Sequence, residues 1–162
     1  MKTLVLGVGN TLLADEGAGV YAMHFLKDHY TLPDTEYLDG GTLSFMLTNA
    51  IAEATNLIIL DAAELNARPG SVRVFEGVEF DDFLLSGCHS VHEVGFADLM
   101  DISRLLDTMP ENFALVGIQP GYMGWDDTPG KAVRAATPEA AARAAELVYK
   151  WTEESLKKVV NQ

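Results

Sequence analysis

Apolar runs without alternation recur along this chain, at Thr3–Leu6, Leu57–Leu60 and Asn112–Gly117. Such runs, bounded by glycine or polar residues, mark strands covered on both faces. Glu36–Leu38 reads as a short further strand that ends at Asp39-Gly40-Gly41. In Ser71–Phe75, Val72 and Val74 alternate with polar residues, the pattern of an edge or antiparallel strand. Between these lie helical periods. One spans about residues 15–30, with Asp15 and Glu16 suited to its positive end. Another runs from an N-cap at Thr42 to about Ala54, with Phe45, Leu47, Ala50 and Ile51 facing the core. A third covers about 92–109, with Val94, Leu99, Ile102, Leu105 and Leu106 inward. Phe80–Gly87 is ambiguous between a loop and one helical turn. Ile118–Ala136 reads as a long Gly- and Pro-rich loop carrying Tyr122, Met123 and Trp125. Thr137-Pro138-Glu139 reads as the start of a last helix to about Lys157, with Ala141, Ala144, Val148 and Trp151 inside.

Strands alternating with helices predict an α/β fold. The expectation is a single domain over residues 1–162, a three-layer α/β/α sandwich around a mainly parallel, twisted sheet of about five strands. Ligands of such sheets sit beyond the carboxyl ends of the strands. Glu16 follows strand one, Asp39 ends strand two and Asp61 ends strand three, so all three carboxylates should share one rim.

Charge narrows the partners. There are 24 Asp and Glu against 11 Lys and Arg, a net charge of -13. This surface repels phosphate backbones, which excludes nucleic acid and favours a cationic peptide, a metal ion or a basic protein. No run of eighteen apolar residues exists, so no membrane insertion is expected. A core strand follows Met1 at once, without a secretory signal, and the single cysteine, Cys88, fits a reducing compartment; a cytoplasmic location is expected.

Candidate chemistry concentrates on the rim. Gly7-Val8-Gly9 after a strand suggests a dinucleotide turn, but Leu12 stands where the third glycine belongs and the turn is too long. Asp15-Glu16 alone reads as a helix cap. Asp61 could cap or turn the chain, and Asp39 could simply hold its Gly-Gly turn. Two or three carboxylates plus a histidine also form a ligand set for nickel, zinc or manganese. His89 and His92 are three apart, so a helix could aim both at one ion, whereas His24 and His29 belong to an amphipathic surface. Cys88 has no Cys-His spacing to make it a nucleophile. There is no Gly-x-Ser-x-Gly, His-Glu-x-x-His, Asp-Thr-Gly or Asp-Ser-Gly motif. The residues alone define an acidic α/β domain with a metal or hydrolase site.

Four blocks go further: Gly7-Val8-Gly9-Asn10 with Asp15-Glu16-Gly17 and Gly19, Leu38-Asp39-Gly40-Gly41-Thr42, Leu60-Asp61-Ala62, and His92-Glu93-Val94-Gly95-Phe96-Ala97-Asp98. With Gly117-Ile118-Gln119-Pro120 and the Thr-Pro helix start, they resemble the hydrogenase maturation proteases over the whole chain. The resemblance implies a cytoplasmic endopeptidase, grouped with the aspartic type. It would trim the C-terminal extension of a nickel-loaded [NiFe]-hydrogenase large-subunit precursor. It places the metal-contacting residues on Glu16, Asp61 and His92, and a further cleft acid on Asp39; the catalytic candidates are Asp39, Asp61 and Glu16. Nickel would come with the substrate, with zinc or cadmium as substitutes. The Gly121–Gly130 loop would set which hydrogenase is recognised. Ser44 and Ala18 depart from the family's pattern, the first stiffening a loop and the second altering packing. A monomer is expected. The alternatives are a non-catalytic, metal-sensing chaperone of the same precursor and a nucleotide-binding module.

Overall fold

The computed structural model describes residues 1–42, 46–86 and 96–160. Five strands form one sheet: β1 (Thr3–Val8), β2 (Thr35–Gly41), β3 (Asn56–Ala62), β4 (Val72–Glu76) and β5 (Asn112–Ile118), in the order β2-β1-β3-β5-β4. β1, β2, β3 and β5 pair in parallel, and only the edge strand β4 is antiparallel, as its alternation predicts. Every residue of β1 and β3 is buried, because helices cover both faces.

One face carries α1 (Ala18–His29) and α5 (Lys131–Val160), whose Ala18, Ala22, Ala140, Ala141 and Ala144 let the helices lie close on Val5, Ile58 and Val116. The other carries α2 (Leu47–Ala52), α3 (Val78–Leu85) and α4 (Phe96–Leu105), where Ile51, Phe80, Phe83, Leu99 and Met100 cover Leu4, Leu6, Leu57 and Ile59. The fold is the expected three-layer sandwich. At the amino ends of three adjacent strands, Thr3, Asn56 and Asn112 lie in register. The Asn56 amide donates to the Thr3 hydroxyl at 3.0 Å and the Asn112 amide to Asn56 Oδ1 at 2.8 Å. This polar ladder penalises a register slip, which would leave buried amides unpaired.

Several elements depart from their sequence patterns. Phe80 and Phe83, both buried, stabilise α3 as a two-turn helix where the sequence is ambiguous. α2 begins at Leu47 rather than after Thr42; Ser44 and Phe45 lie outside the described residues. In α4, Leu99 is buried and Ile102 half-buried as expected, but Leu105 and Leu106 are exposed. The helix stops there because Asp107 takes a left-handed φ of 54° and the Thr108 amide turns back to the Ser103 carbonyl at 2.8 Å. α5 starts at Lys131, six residues before the predicted cap, and keeps Pro138 inside it. Buried Val133 and Ala136 make those first turns worth forming, while Thr137 bonds the Val133 carbonyl rather than capping a new helix. Arg134 and Pro138 face solvent, where water can satisfy the carbonyl that proline leaves unmatched.

Candidate functional site at the carboxyl rim of the sheet

The rim is organised by a reversal of the chain after β1. Gly9 has a φ of 140°, and a Cβ there would stand 2.1 Å from the Glu16 carbonyl oxygen. Only glycine lets the backbone come back on itself this closely. Asn10 then closes a turn by accepting the Leu12 amide at 3.0 Å, and a single 3-10 turn, Ala14–Gly17, leads into α1. Gly19, in the first turn of α1, is wedged against the strand ends: its Cβ would lie 1.9 Å from the Leu60 carbonyl oxygen and 2.5 Å from that of Val8. The helix therefore seats directly on β1 and β3, and the 3-10 turn bearing Glu16 packs against β3.

Glu16 is half-buried on this turn. Asp61 is fully buried in the last part of β3, in register with Gly117 of β5. By strand alternation its side chain faces the α2–α4 side, since Leu60 and Ala62 belong to the α1–α5 core. Asp39 lies within β2 rather than after it, in register with Gly7. It is exposed, and its Oδ1 accepts the Gly41 amide at 2.9 Å. Asp39 and Asp61 share the rim as expected, but they leave opposite faces of strands two positions apart, about 10 Å across the sheet. The structure thus brings Glu16 and Asp61 to the end of β3 and sets Asp39 to one side. His92, His89 and Cys88 lie outside the described residues. Among those described, no three His, Cys, Asp or Glu side chains converge as a metal site. His24 and His29 are exposed on α1, with the His29 ring stacked on Phe25 at 3.9 Å.

Asp15 corrects the capping expectation. It is buried, and α1 begins three residues later with no side-chain cap. Its Oδ2 accepts the amides of Gly121 at 2.8 Å and Tyr122 at 2.9 Å, and its Oδ1 accepts that of Gly130 at 2.6 Å. The long loop after β5 is therefore fastened to the reversal after β1. Further bonds reinforce it: the Asp15 amide donates to the Tyr122 carbonyl at 2.9 Å, and the Ala14 amide to that of Asp126 at 2.8 Å. The Tyr21 hydroxyl lies 3.0 Å from the Thr11 carbonyl and 3.1 Å from that of Asp127. Burial, then the charges of Asp127, Asp126 and Asp15, raise the Tyr21 phenol above its ordinary 10.0. Gln119, buried at the end of β5, accepts the Leu65 amide at 2.7 Å and donates to Glu64 at 3.2 Å, steadying the segment that follows Asp61. The sequence flags Gln119 as part of a block and Asp15 as part of a block and a cap, but neither as an anchor, because both act through partners more than fifty residues away.

Ala18, Gly19 and Val20 in the first turn of α1 are buried, with Gly19 pressed on the ends of β1 and β3, which does not favour a phosphate at this helix start. Carboxylates thus gather, beside an anchored aromatic loop, at the rim of a mainly parallel α/β sheet, the place where ligands of such sheets sit.

A model of the hydrogenase maturation protease family matches residues 20–150. The hydrogenase 2 maturation protease of Escherichia coli is 40% identical over 123 residues, 74% of each chain. The hydrogenase expression/formation protein HupD of Bradyrhizobium diazoefficiens is 38% identical over 74% of this chain. This chain spans 62% of that relative's length, and 58% of the length of HupM from Azotobacter chroococcum. The structure of the hydrogenase maturating endopeptidase HybD from Escherichia coli superposes with a TM-score of 0.84 at 33% identity, covering 93% of both chains. The chain belongs to the hydrogenase maturation protease family.

Proposed function

We propose that this chain is an endopeptidase that removes the C-terminal extension of a nickel-loaded [NiFe]-hydrogenase large-subunit precursor, and that it acts in the cytoplasm as a monomer. What supports the reading, in a member of this family, is a buried Asp61 near the end of β3 and a half-buried Glu16 on the turn that packs against β3. Their oxygens suit a divalent ion of borderline hardness, and His92 would supply the nitrogen donor. The nickel belongs to the substrate, and zinc or cadmium can stand in for it. Gripping that ion would place the scissile peptide beside the rim, so that cleavage proceeds by positioning. A carboxylate takes a proton from water, the water oxygen adds to the peptide carbonyl carbon, and the amine leaves protonated. Asp39 is one candidate for this role: it is exposed, and the Gly41 amide orients it through Oδ1, so a peptide held at the ion would have to extend across β1 toward β2 to reach it. Asp61 is the other candidate base. The loop after β5 would discriminate among hydrogenases.

The test is the intact mass of a cognate precursor, with and without nickel, after incubation with the protein. Loss of one C-terminal peptide from the loaded form alone supports the reading. An unchanged mass refutes cleavage and leaves a metal-sensing chaperone.

A further inference from the structure

One buried acid has no part in the chemistry above. Asp15 is 2% exposed, yet its carboxylate accepts three loop amides, and they come from both ends of the loop, Gly121 and Tyr122 at one and Gly130 at the other. A single side chain thus ties together positions eight or nine residues apart. The loop so held displays apolar surface: Tyr122 is 59%, Met123 43% and Trp125 81% exposed, next to Leu12 at 58%. The backbone that carries this surface is bonded to Leu12, Ala14 and Asp15, immediately before Glu16 in the chain. Hydrogen bonds to an ionised carboxylate are stronger than neutral ones, and three of them offset much of the entropy of ordering a loop. A loop already ordered costs less to dock against.

We propose that Asp15 is a positioning residue: it holds the 119–130 loop on the reversal after β1, so that Tyr122, Met123 and Trp125 stand preformed as the contact surface for the precursor beside Glu16. This deepens the protease reading and rests on it. Asp15 does not touch the reacting atoms; it acts through the loop.

The test combines Asp15→Asn with Trp125→Ala in the full chain. Asp15→Asn keeps the shape but turns an amino group toward one loop amide. Amide hydrogen exchange at Gly121, Tyr122 and Gly130 should quicken by about tenfold or more, while the exchange of β1 and β3 is unchanged. With nickel-loaded precursor, KM should rise about tenfold while kcat stays within about threefold. Trp125→Ala should raise KM as well, and the double variant should be little worse than Asp15→Asn alone, because both act on one surface. Gly130→Ala supplies a second route if Asp15→Asn fails to fold: its methyl would stand 3.0 Å from Asp15 Oδ1 and disturb the same contact from the loop side. Faster exchange with unchanged KM would overturn the proposal. So would multiplicative effects of the two variants, or a fall in kcat at constant KM. Failure of the unmutated chain to cut a loaded precursor is a different result: it removes the protease reading, and the positioning role falls with it.

Discussion

Gly19→Ala tests the seating of α1 most directly. The added methyl would lie 1.9 Å from the Leu60 carbonyl oxygen and 2.5 Å from the Leu60 carbonyl carbon. Ordinary contact begins near 3.4 Å. The helix must therefore lift by more than about 1 Å, because backbone at the strand end has no rotamer with which to give way. A gap of that size forfeits roughly a quarter to a half of each contact beneath it. Val20, Met23 and Leu26 are the larger α1 side chains buried against the sheet. At about 2 kcal/mol for burying each, the loss is roughly 2–3 kcal/mol. Disturbing the Leu60 carbonyl adds about 1 kcal/mol. Replacing a helical glycine returns at most about 1 kcal/mol. The net destabilisation is about 2–3 kcal/mol. With a urea m-value of about 2 kcal/mol per molar, the midpoint should fall by roughly 1 M at unchanged m. The same displacement carries the turn bearing Glu16 away from β3, so cleavage of loaded precursor should fall more than stability alone explains. A midpoint equal to or above that of the unmutated protein would show that α1 has room, and that its contact with β1 and β3 is not what places Glu16.

Other perturbations separate stability from function. Asn56→Ala removes the centre of the strand-start ladder and strands two polar partners; unfolding should cost about 2–4 kcal/mol less, with activity per folded molecule unchanged. Gln119→Glu replaces the donor facing Glu64 with a second carboxylate; faster proteolysis within residues 63–70 and a lower urea midpoint should follow. Tyr21 has a raised phenol pKa, so its neutral form is favoured in the fold. Its contribution is complete below pH 10 and is lost as pH climbs past the raised folded value. The difference in urea midpoint between the unmutated protein and Tyr21→Phe should therefore shrink above pH 10; a constant difference would show that the hydroxyl does not couple to the loop. Asp61→Asn should abolish retention of loaded precursor in a pull-down, whereas Asp39→Asn should keep retention and lose cleavage if Asp39 is the base.

What the sequence made legible depended on how local the cause was. β1, β3 and β5 are readable because burial on both faces demands uninterrupted apolar runs, and β4 because one polar side alternates. Asp61 stands out for the same reason, as the first acid after such a run, whereas Glu16 follows the β1 run only after Asp15, and the four sequence blocks single it out. The start of α5 was misread because Thr137-Pro138-Glu139 has the chemistry of a cap, while the decisive contacts of Val133 and Ala136 are tertiary. Leu105 and Leu106 continue the helical period but fall at the point where Asp107 turns the chain away. Asp15 anchors the loop after β5, and nothing near it in sequence reveals that its partners are Gly121, Tyr122 and Gly130.

The last helix has a practical consequence. α5 begins at the rim, next to the Gly130 amide held by Asp15, and runs back along the sheet for thirty residues. At about 1.5 Å per residue it is about 45 Å long, roughly twice the length of a seven-residue strand. Its far turns overhang the core, with Leu156 62% and Val159 71% exposed. A fluorophore coupled near Val159 would ride on a rigid spar, tens of ångströms from the cleft. Energy transfer from it to a dye on the precursor's extension could then follow docking and departure of the cut peptide in real time, without either label obstructing the rim.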